Sequence, residues 1–397
     1  MSEVSNLAIR NCEICDGREL ESVHRQEFLF PGLAQPVHYD VVACRTCGFA
    51  FASDIPDQSS LDQFYQASEH HLHAVLPQGL QRIHADFFRF VHQHAGLADD
   101  VHILDIGSGM GHFLHHFQTA GFGNLQGIEP SPAAATLARQ AYGLEIHTAT
   151  IDNFPAHERF GLVSLCGVLE HIADLRRSMN RISALLHDDG QLFIAVPDAS
   201  AFGQTIPAEP FLEFALEHIN FFSPTSLDNL LRASGFEKVA ATSQHNDFYD
   251  NSYLLALYRR TTAPSPIPAK DVEATASLCA YVDLSRQRLQ PVEKLAAQLV
   301  ASQEPLLIWG AGALTSRLLC DTRLGQANIC GIVDRNRGLH GKQLLSVPIA
   351  PPDSIADHPG ATVFIASTTY AAEIRSMLAE QYAWSGKIIG LDTEATA

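Results

Sequence analysis

The sequence predicts an α/β chain of three units: a small N-terminal cysteine module, a Rossmann-like central domain and a second, C-terminal Rossmann-like domain. Three observations carry this. Two Cys-x-x-Cys pairs fall near the start, at Cys12/Cys15 and Cys44/Cys47. Short apolar runs alternate with helix-length segments from Val101 to Arg260, the pattern of a parallel sheet. A second strand, glycine loop and helix pattern opens at Leu306. The 397 residues exceed one ordinary core, and 46% hydrophobic content is enough to build several.

The net charge of −18 argues against a nucleic-acid partner, which needs basic surface to replace counterions. It leaves room for a nucleotide-sized ligand in a local pocket. The opening MSEVSNLAIRN lacks the basic and apolar regions of a secretory signal. No run approaches the roughly 20 apolar residues that span a bilayer, so no membrane partner is expected. The expected location is cytoplasmic, where a reducing compartment favours metal-bound or free thiols over disulfides.

Residues 1–60 form the expected cysteine module. Each Cys-x-x-Cys pair places two sulfurs on one side of a tight turn, and Gly17 and Gly48 suit the bends that follow. Cys12, Cys15, Cys44 and Cys47 match a closed, tetrahedral and therefore structural zinc site. Redox pairs, unmetallated thiols and an iron–sulfur centre are the other readings.

Residues 61–262 form the expected central domain. A helical stretch from about Ser59 to Ala95 leads into the segment Val101–Phe113, an apolar strand running into Gly107-x-Gly109-x-Gly111 and a helix. Such glycines let a backbone pass close to a ligand, and the helix start offers N–H groups. Asp105 precedes the loop, and Glu129 ends the next strand, where a carboxylate can accept both hydroxyls of a ribose. A Rossmann-like domain without a cofactor is the bland alternative.

The Gly-x-Gly-x-Gly spacing with Asp105 resembles the first motif of class I S-adenosylmethionine-dependent methyltransferases. Phe160–His171 is similar to that family's fourth strand and following Leu-Glu-His segment, with Gly161 where the family has Asp. Leu185–Pro197 is similar to its fifth-strand passage, and Ser234-Gly-Phe236 with Ser252–Arg259 to its terminal hairpin. The resemblance implies that Asp105, Gly107 and Gly109 flank the amino acid part of S-adenosylmethionine, with Gly111 among the cofactor-binding residues. Glu129 would hold its ribose and Asp152 its adenine amino group, with Cys166 near the sulfonium.

Methyl transfer is an in-line displacement, so alignment supplies much of the rate. A base is needed only where the acceptor loses a proton. Glu217–Ser226 lies between the fifth strand and the hairpin, where this fold places acceptor-binding insertions. His218 is the leading candidate for general base, because imidazole titrates near neutrality. Glu217 would orient it or act itself; His171 and Tyr65 are further candidates. Against all of them stands the plain reading that the chain has 20 histidines, most with no chemistry. The polar cluster Gln244–Ser252 reads as an acceptor-facing stretch or an ordinary turn.

A linker over Thr261–Lys270 and a helical stretch over about Val272–Ser302, interrupted at Pro291, lead to the final unit, residues 271–397. Here Trp309-Gly-Ala-Gly312 repeats the loop, Asp334 ends the next strand, and Thr315 stands where a third glycine is usual. With Val333–Asn336, His340–Lys342 and Pro348-Ile349, the whole chain resembles zinc-containing sugar C-methyltransferases of nucleotide-linked 4-keto sugars. That family carries a Gly-Gly-Ser-Leu-Arg-like motif where this chain has Asp250–Leu254. The resemblance implies S-adenosylmethionine, zinc, and proton removal by the histidine at the His218 position. O- or N-methylation, a non-catalytic binding protein and a nicotinamide oxidoreductase are the competing functions.

Overall fold

Strands that are apolar on both sides must be covered on both sides, so the apolar runs of this chain call for layers of helix around a sheet. A computed structural model describes residues 8–32, 36–55, 58, 76–155, 158–263, 267–368 and 370–391. The fold is mixed α/β, as the sequence predicts. It divides into two compact units: Met1–Val23, Asp40–Phe202 and Glu217–Leu278 form one; His24–Tyr39, Gly203–Leu216 and Cys279–Ala397 form the other.

The first unit is built on a seven-stranded sheet. Its spatial order is Phe236–Asn246, Asn251–Arg260, Leu186–Pro197, Phe160–Cys166, Ile103–Ile106, Leu125–Ile128, Glu145–His147. Asn251–Arg260 is antiparallel to both its neighbours, and the remaining pairs are parallel. Alternation along Leu186–Pro197 feeds both faces: Leu192, Ile194 and Val196 enter one core, Phe193 and Ala195 the other. Helix Gln78–His94 covers the second face with Ile83, Phe87, Phe90 and Val91, which recur at helical spacing. Helix Pro132–Tyr142 starts with Ser131 accepting from Ala134 N and ends at left-handed Gly143.

The cysteine module shares the first of these cores: Cys12, Cys44, Cys47, Phe49 and Phe51 pack in one cluster with Leu192 and Ile194. A four-stranded sheet has the order Asn220–Phe221, Ala50–Ala52, Val37–Cys44, Leu20–Phe28. The stretch after Glu217 is therefore an edge strand of that sheet, with Asn220 opposite Phe51 and Phe221 opposite Ala50.

The second unit carries a six-stranded sheet ordered Gln343–Leu344, Val347–Ala350, Ile329–Val333, Leu306–Trp309, Thr362–Ile365, Ile388–Gly390. All pairs but the first are parallel, a doubly wound arrangement. Its core includes Leu307, Trp309, Val333, Val363 and Leu378. Helix Glu273–Ser302 runs unbroken through Pro291, contrary to the expected interruption. Pro291 is exposed, so the carbonyl that loses its donor can face solvent. Among the described residues, no helix is long and apolar enough to cross a membrane.

Candidate active site

The strand Ile103–Ile106 ends at the carboxyl edge of the first sheet, and the chain turns through three glycines into helix His112–Thr119. Gly107, Gly109 and Gly111 all lie in the left-handed region, at φ +70°, +53° and +78°. A Cβ at Gly107 would fall 2.5 Å from Val168 Cγ2, whereas the corresponding space at Gly109 is empty. The loop is thus packed at its start and open where a ligand would approach.

Glu129 closes this loop from the next strand. Its Oε2 accepts from Gly109 N at 2.8 Å and its Oε1 from Ser131 N at 2.8 Å. Burial holds its carboxyl above the usual range, and the two N–H groups oppose that. Asp105 is deeper, and burial pushes its carboxyl up to about 7 despite the 2.6 Å bond from Ser164 Oγ. A buried acid poised near neutrality suits a cationic ligand group, which would draw it into its charged form. Cys166 ends the neighbouring strand, its thiol pushed up by burial and then by the charges of Asp105 and Glu170. Asp152 is engaged elsewhere: its Oδ1 lies 3.1 Å from Arg177 Nε.

Beyond Cys166 the chain enters the short turn Leu169–His171. His171 Nδ1 is 2.7 Å from Glu217 O, and the His171 and His218 rings lie 5.1 Å apart, tilted by 54°. Ile219 N donates to Glu170 O, and Asn220 Nδ2 donates to Leu169 O and Ile172 O. This stitching brings His171 together with His218 and the Glu217 backbone from two separate segments of the chain. Tyr65 lies outside the described residues.

Two residues that the sequence reading passes over join the site. Glu170 is 3% exposed, and its carboxylate lies with the ring nitrogens of His171 and His218 within 4.8 Å of one another. The signal was its place inside Leu169-Glu170-His171, though only burial separates it from a surface acid. Arg10 is also buried, and its guanidinium donates to Ala52 O, Ile219 O and Ala173 O at 3.3, 3.2 and 3.0 Å. Nothing in the local sequence marks it.

The Gln244–Ser252 stretch borders a cavity of about 300 Å³, shared with Arg82, Asp86 and Phe87 of the Gln78–His94 helix.

The sulfurs of Cys12, Cys15, Cys44 and Cys47 lie within 4.8 Å of one another, with Cys12–Cys47 and Cys15–Cys44 at 3.5 Å. None is in a disulfide. Backbone N–H groups of Ile14 and Cys15 face the Cys12 sulfur, that of Gly17 the Cys15 sulfur and that of Phe49 the Cys47 sulfur. A Cβ on Gly17 would press to 2.8 Å from Cys44 Sγ, so glycine lets the sulfurs converge. Four soft donors with N–H support fit a closed tetrahedral metal site.

The second unit repeats the loop closure. Asp334 Oδ2 accepts from Ala311 N at 2.8 Å and Oδ1 from Asn336 N at 2.7 Å, as Glu129 does in the first. Thr315, in place of a third glycine, donates from Oγ1 to Gly310 O at 2.6 Å and is fully buried.

Residues 69–241, spanning the first glycine loop and the histidine segments, match the family model described as a methyltransferase domain. The strand order puts it in class I. Residues 69–241 form a class I S-adenosylmethionine-dependent methyltransferase domain. Behind the methyltransferase domain, residues 302–389 match the model described as "C2185-like, N-terminal". Among curated proteins, the chain is 26% identical over 373 residues to the C-methyltransferase NovU of Streptomyces niveus, covering 88% of this chain and 83% of that one. It is 30% identical over 129 residues to the ubiquinone biosynthesis O-methyltransferase of Nitrobacter winogradskyi, covering 30% of this chain and 49% of the relative. Among solved structures it is similar to the Burkholderia thailandensis 1,6-didemethyltoxoflavin-N1-methyltransferase. That likeness has 21% identity and a TM-score of 0.42 over 54% of this chain and 96% of that chain.

Proposed function

We propose that this methyltransferase acts on carbon, taking an enolisable small molecule such as a nucleotide-linked keto sugar, with His218 as general base. The observation that carries the reading is the pairing of His218 with His171 at 5.1 Å, next in the chain to the strand that ends at Cys166. The near end-to-end match to a relative named as a C-methyltransferase supports carbon as the accepting atom. The shorter match to an O-methyltransferase keeps an oxygen acceptor as the second reading.

When bound, S-adenosylmethionine supplies an electrophilic methyl group. In this reading Asp105 meets its ammonium group, and the open space at Gly109 admits its backbone-like part. Glu129 accepts from its ribose hydroxyls while still holding the loop, since each carboxylate oxygen can accept more than one bond. Cys166 lies near the sulfonium. Asp152 reaches the adenine amino group only by sharing its carboxylate with Arg177. His218 removes the proton beside the acceptor carbonyl, Glu217 orients it, and Tyr65 is a further acceptor-side candidate. The four cysteines hold one structural zinc, whose crosslink steadies the edge to which Asn220 and Phe221 are paired. The labour divides between a zinc module over residues 1–60, a methyltransferase domain over 61–262 and a C-terminal Rossmann-like domain over 271–397. A cytoplasmic location belongs to the same reading, because reducing conditions keep the thiols available to metal.

The deciding experiment incubates the protein with a panel of keto-sugar nucleotides and isotopically labelled methyl donor. Label should appear on carbon. Without methyl donor, the wild type should exchange the acceptor's carbon-bound proton for solvent deuterium, and His218→Asn should lose both exchange and turnover by ~10²–10⁴-fold. Label on oxygen or nitrogen, or normal exchange by His218→Asn, overturns the assignment.

A further inference from the structure

Glu170, His171 and His218 bring one carboxylate and two imidazoles together, with an oxygen and two ring nitrogens all within 4.8 Å of one another. Such a donor set takes divalent transition ions such as zinc, cobalt or nickel, whereas magnesium and calcium call for oxygen alone. The separations fit a single ion. With a metal–nitrogen bond of about 2.1 Å, an ion stands about 3.2 Å from each ring centroid, so angles of about 90–110° leave two centroids about 4.5–5.2 Å apart. The two rings here are 5.1 Å apart. Glu170 Oε1 lies 3.9 Å from His171 Nε2, and ligation of one ion would bring that pair to about 3.4 Å, a closure of about 0.5 Å. The donors are also held in place. His171 Nδ1 lies 2.7 Å from Glu217 O, a carbonyl that can only accept, so the proton sits on Nδ1 and the neutral ring turns its Nε2 lone pair toward Glu170. A carbonyl behind a metal-binding histidine fixes the tautomer in this way. Ile219 N donates to Glu170 O at 3.0 Å, and Asn220 Nδ2 to Leu169 O and Ile172 O at 3.2 and 2.7 Å, which ties the two donor-bearing segments at the backbone. Glu170 is buried while the His171 side chain keeps 21% exposure, so an ion can enter from the ring side.

We propose that Glu170, His171 and His218 form a second metal site, for a divalent transition ion, and that an ion bound there stops catalysis by taking the lone pair with which His218 accepts a proton. The site stands on the donor geometry alone; the loss of activity rests on the reading of His218 as the base. Binding exchanges waters on the ion for two nitrogens and one carboxylate oxygen, with no oxidation or reduction. A metal-bound imidazole nitrogen has no pair left for a proton, so the carbon acid stays protonated. Three donors, of which none is a thiolate, bind less tightly than the four converging sulfurs of the cysteine module. The cysteine site therefore fills first, and the second site responds to ion in excess of it.

Titration of the full zinc-loaded chain with Co²⁺, free of substrate, reads the site by its visible spectrum. One equivalent should bind with ligand-field absorption and without the thiolate-to-cobalt charge-transfer band that cysteine ligation gives. Elemental analysis should still find the first zinc in place. Glu170→Gln, equal in shape, His171→Asn and His218→Asn should each weaken Co²⁺ binding at least about tenfold while retaining that zinc. In turnover, saturating Co²⁺ should abolish methyl transfer by the wild type, and a chelator that spares the cysteine zinc should restore it. Absence of binding, binding seen only with the thiolate band, or binding as tight in the three variants as in the wild type overturns the site. Full turnover by the cobalt-saturated enzyme overturns the inhibition. The spectrum uses neither acceptor nor methyl donor. If His218→Asn still exchanges the acceptor's proton, the base assignment falls while cobalt binding continues to report on the site.

Discussion

Arg10 Nη2 donates to Asn220 Oδ1 across 3.0 Å, joining a residue two places before the first cysteine to one two places after His218. The same guanidinium lies over the Phe51 ring at 5.3 Å and reaches the backbone of both histidine-bearing segments. Burial draws its pKa down to about 10, which still leaves it charged. One side chain thus ties the cysteine module to the candidate chemistry.

Arg10→Met keeps the stem and removes every donor, taking away the bonds to Asn220 Oδ1 and to three carbonyls, of which Ile219 O still accepts from Ala52 N. We expect a loss of about 2–4 kcal/mol in urea unfolding, with turnover falling more than methyl-donor affinity. Stability equal to wild type would show that water replaces the guanidinium without penalty.

Metal removal acts on the same edge. Elemental analysis should find one zinc per chain, and Cys12→Ser with Cys44→Ser should lose it. Chelation or that double variant should lower Tm by on the order of 10 °C. Unchanged metal content and melting would remove the zinc assignment.

Glu129→Ala deletes the carboxylate that accepts from Gly109 N and Ser131 N and is assigned the ribose hydroxyls. Charge-assisted bonds of this kind contribute about 1.5–3 kcal/mol each, so calorimetry should read at least a tenfold loss of S-adenosylmethionine affinity. Unaltered affinity in a folded variant would mean the donor sits elsewhere.

Asp105 makes a prediction in pH. Its folded carboxyl sits at about 7, against an ordinary value of 3.8, because burial disfavours the charge. Between those values the folded chain holds a proton that the unfolded chain has released. This group therefore lowers stability as pH rises from about 4 to about 7, and its contribution is flat above. Asp105→Asn should flatten that slope in unfolding measurements. A bound ammonium group favours the carboxylate, so S-adenosylmethionine affinity should rise from about pH 6 to 7.5 in the wild type and stay level in Asp105→Asn. A wild-type affinity independent of pH would place the ammonium away from Asp105.

The sequence by itself determined the α/β class, both glycine loops and the clustering of the four cysteines. These are encoded over a few residues: a left-handed turn needs glycine at its own position, and a buried strand needs an apolar run. Asp105 and Glu129 were legible for the same reason, standing at fixed steps from Gly107 and Gly109. Only the tertiary structure decided that Arg10 and Glu170 belong to the site and that Asp152 pairs with Arg177. Arg10 meets Asn220 across 210 positions and His171 meets Glu217 across 46. It likewise decided that Gly203–Leu216, which precedes the His218 segment, packs with the second unit. No local pattern encodes such partners. Burial and long-range hydrogen bonding arise when separately specified elements pack, and packing sets the charge and orientation on which acid–base chemistry depends.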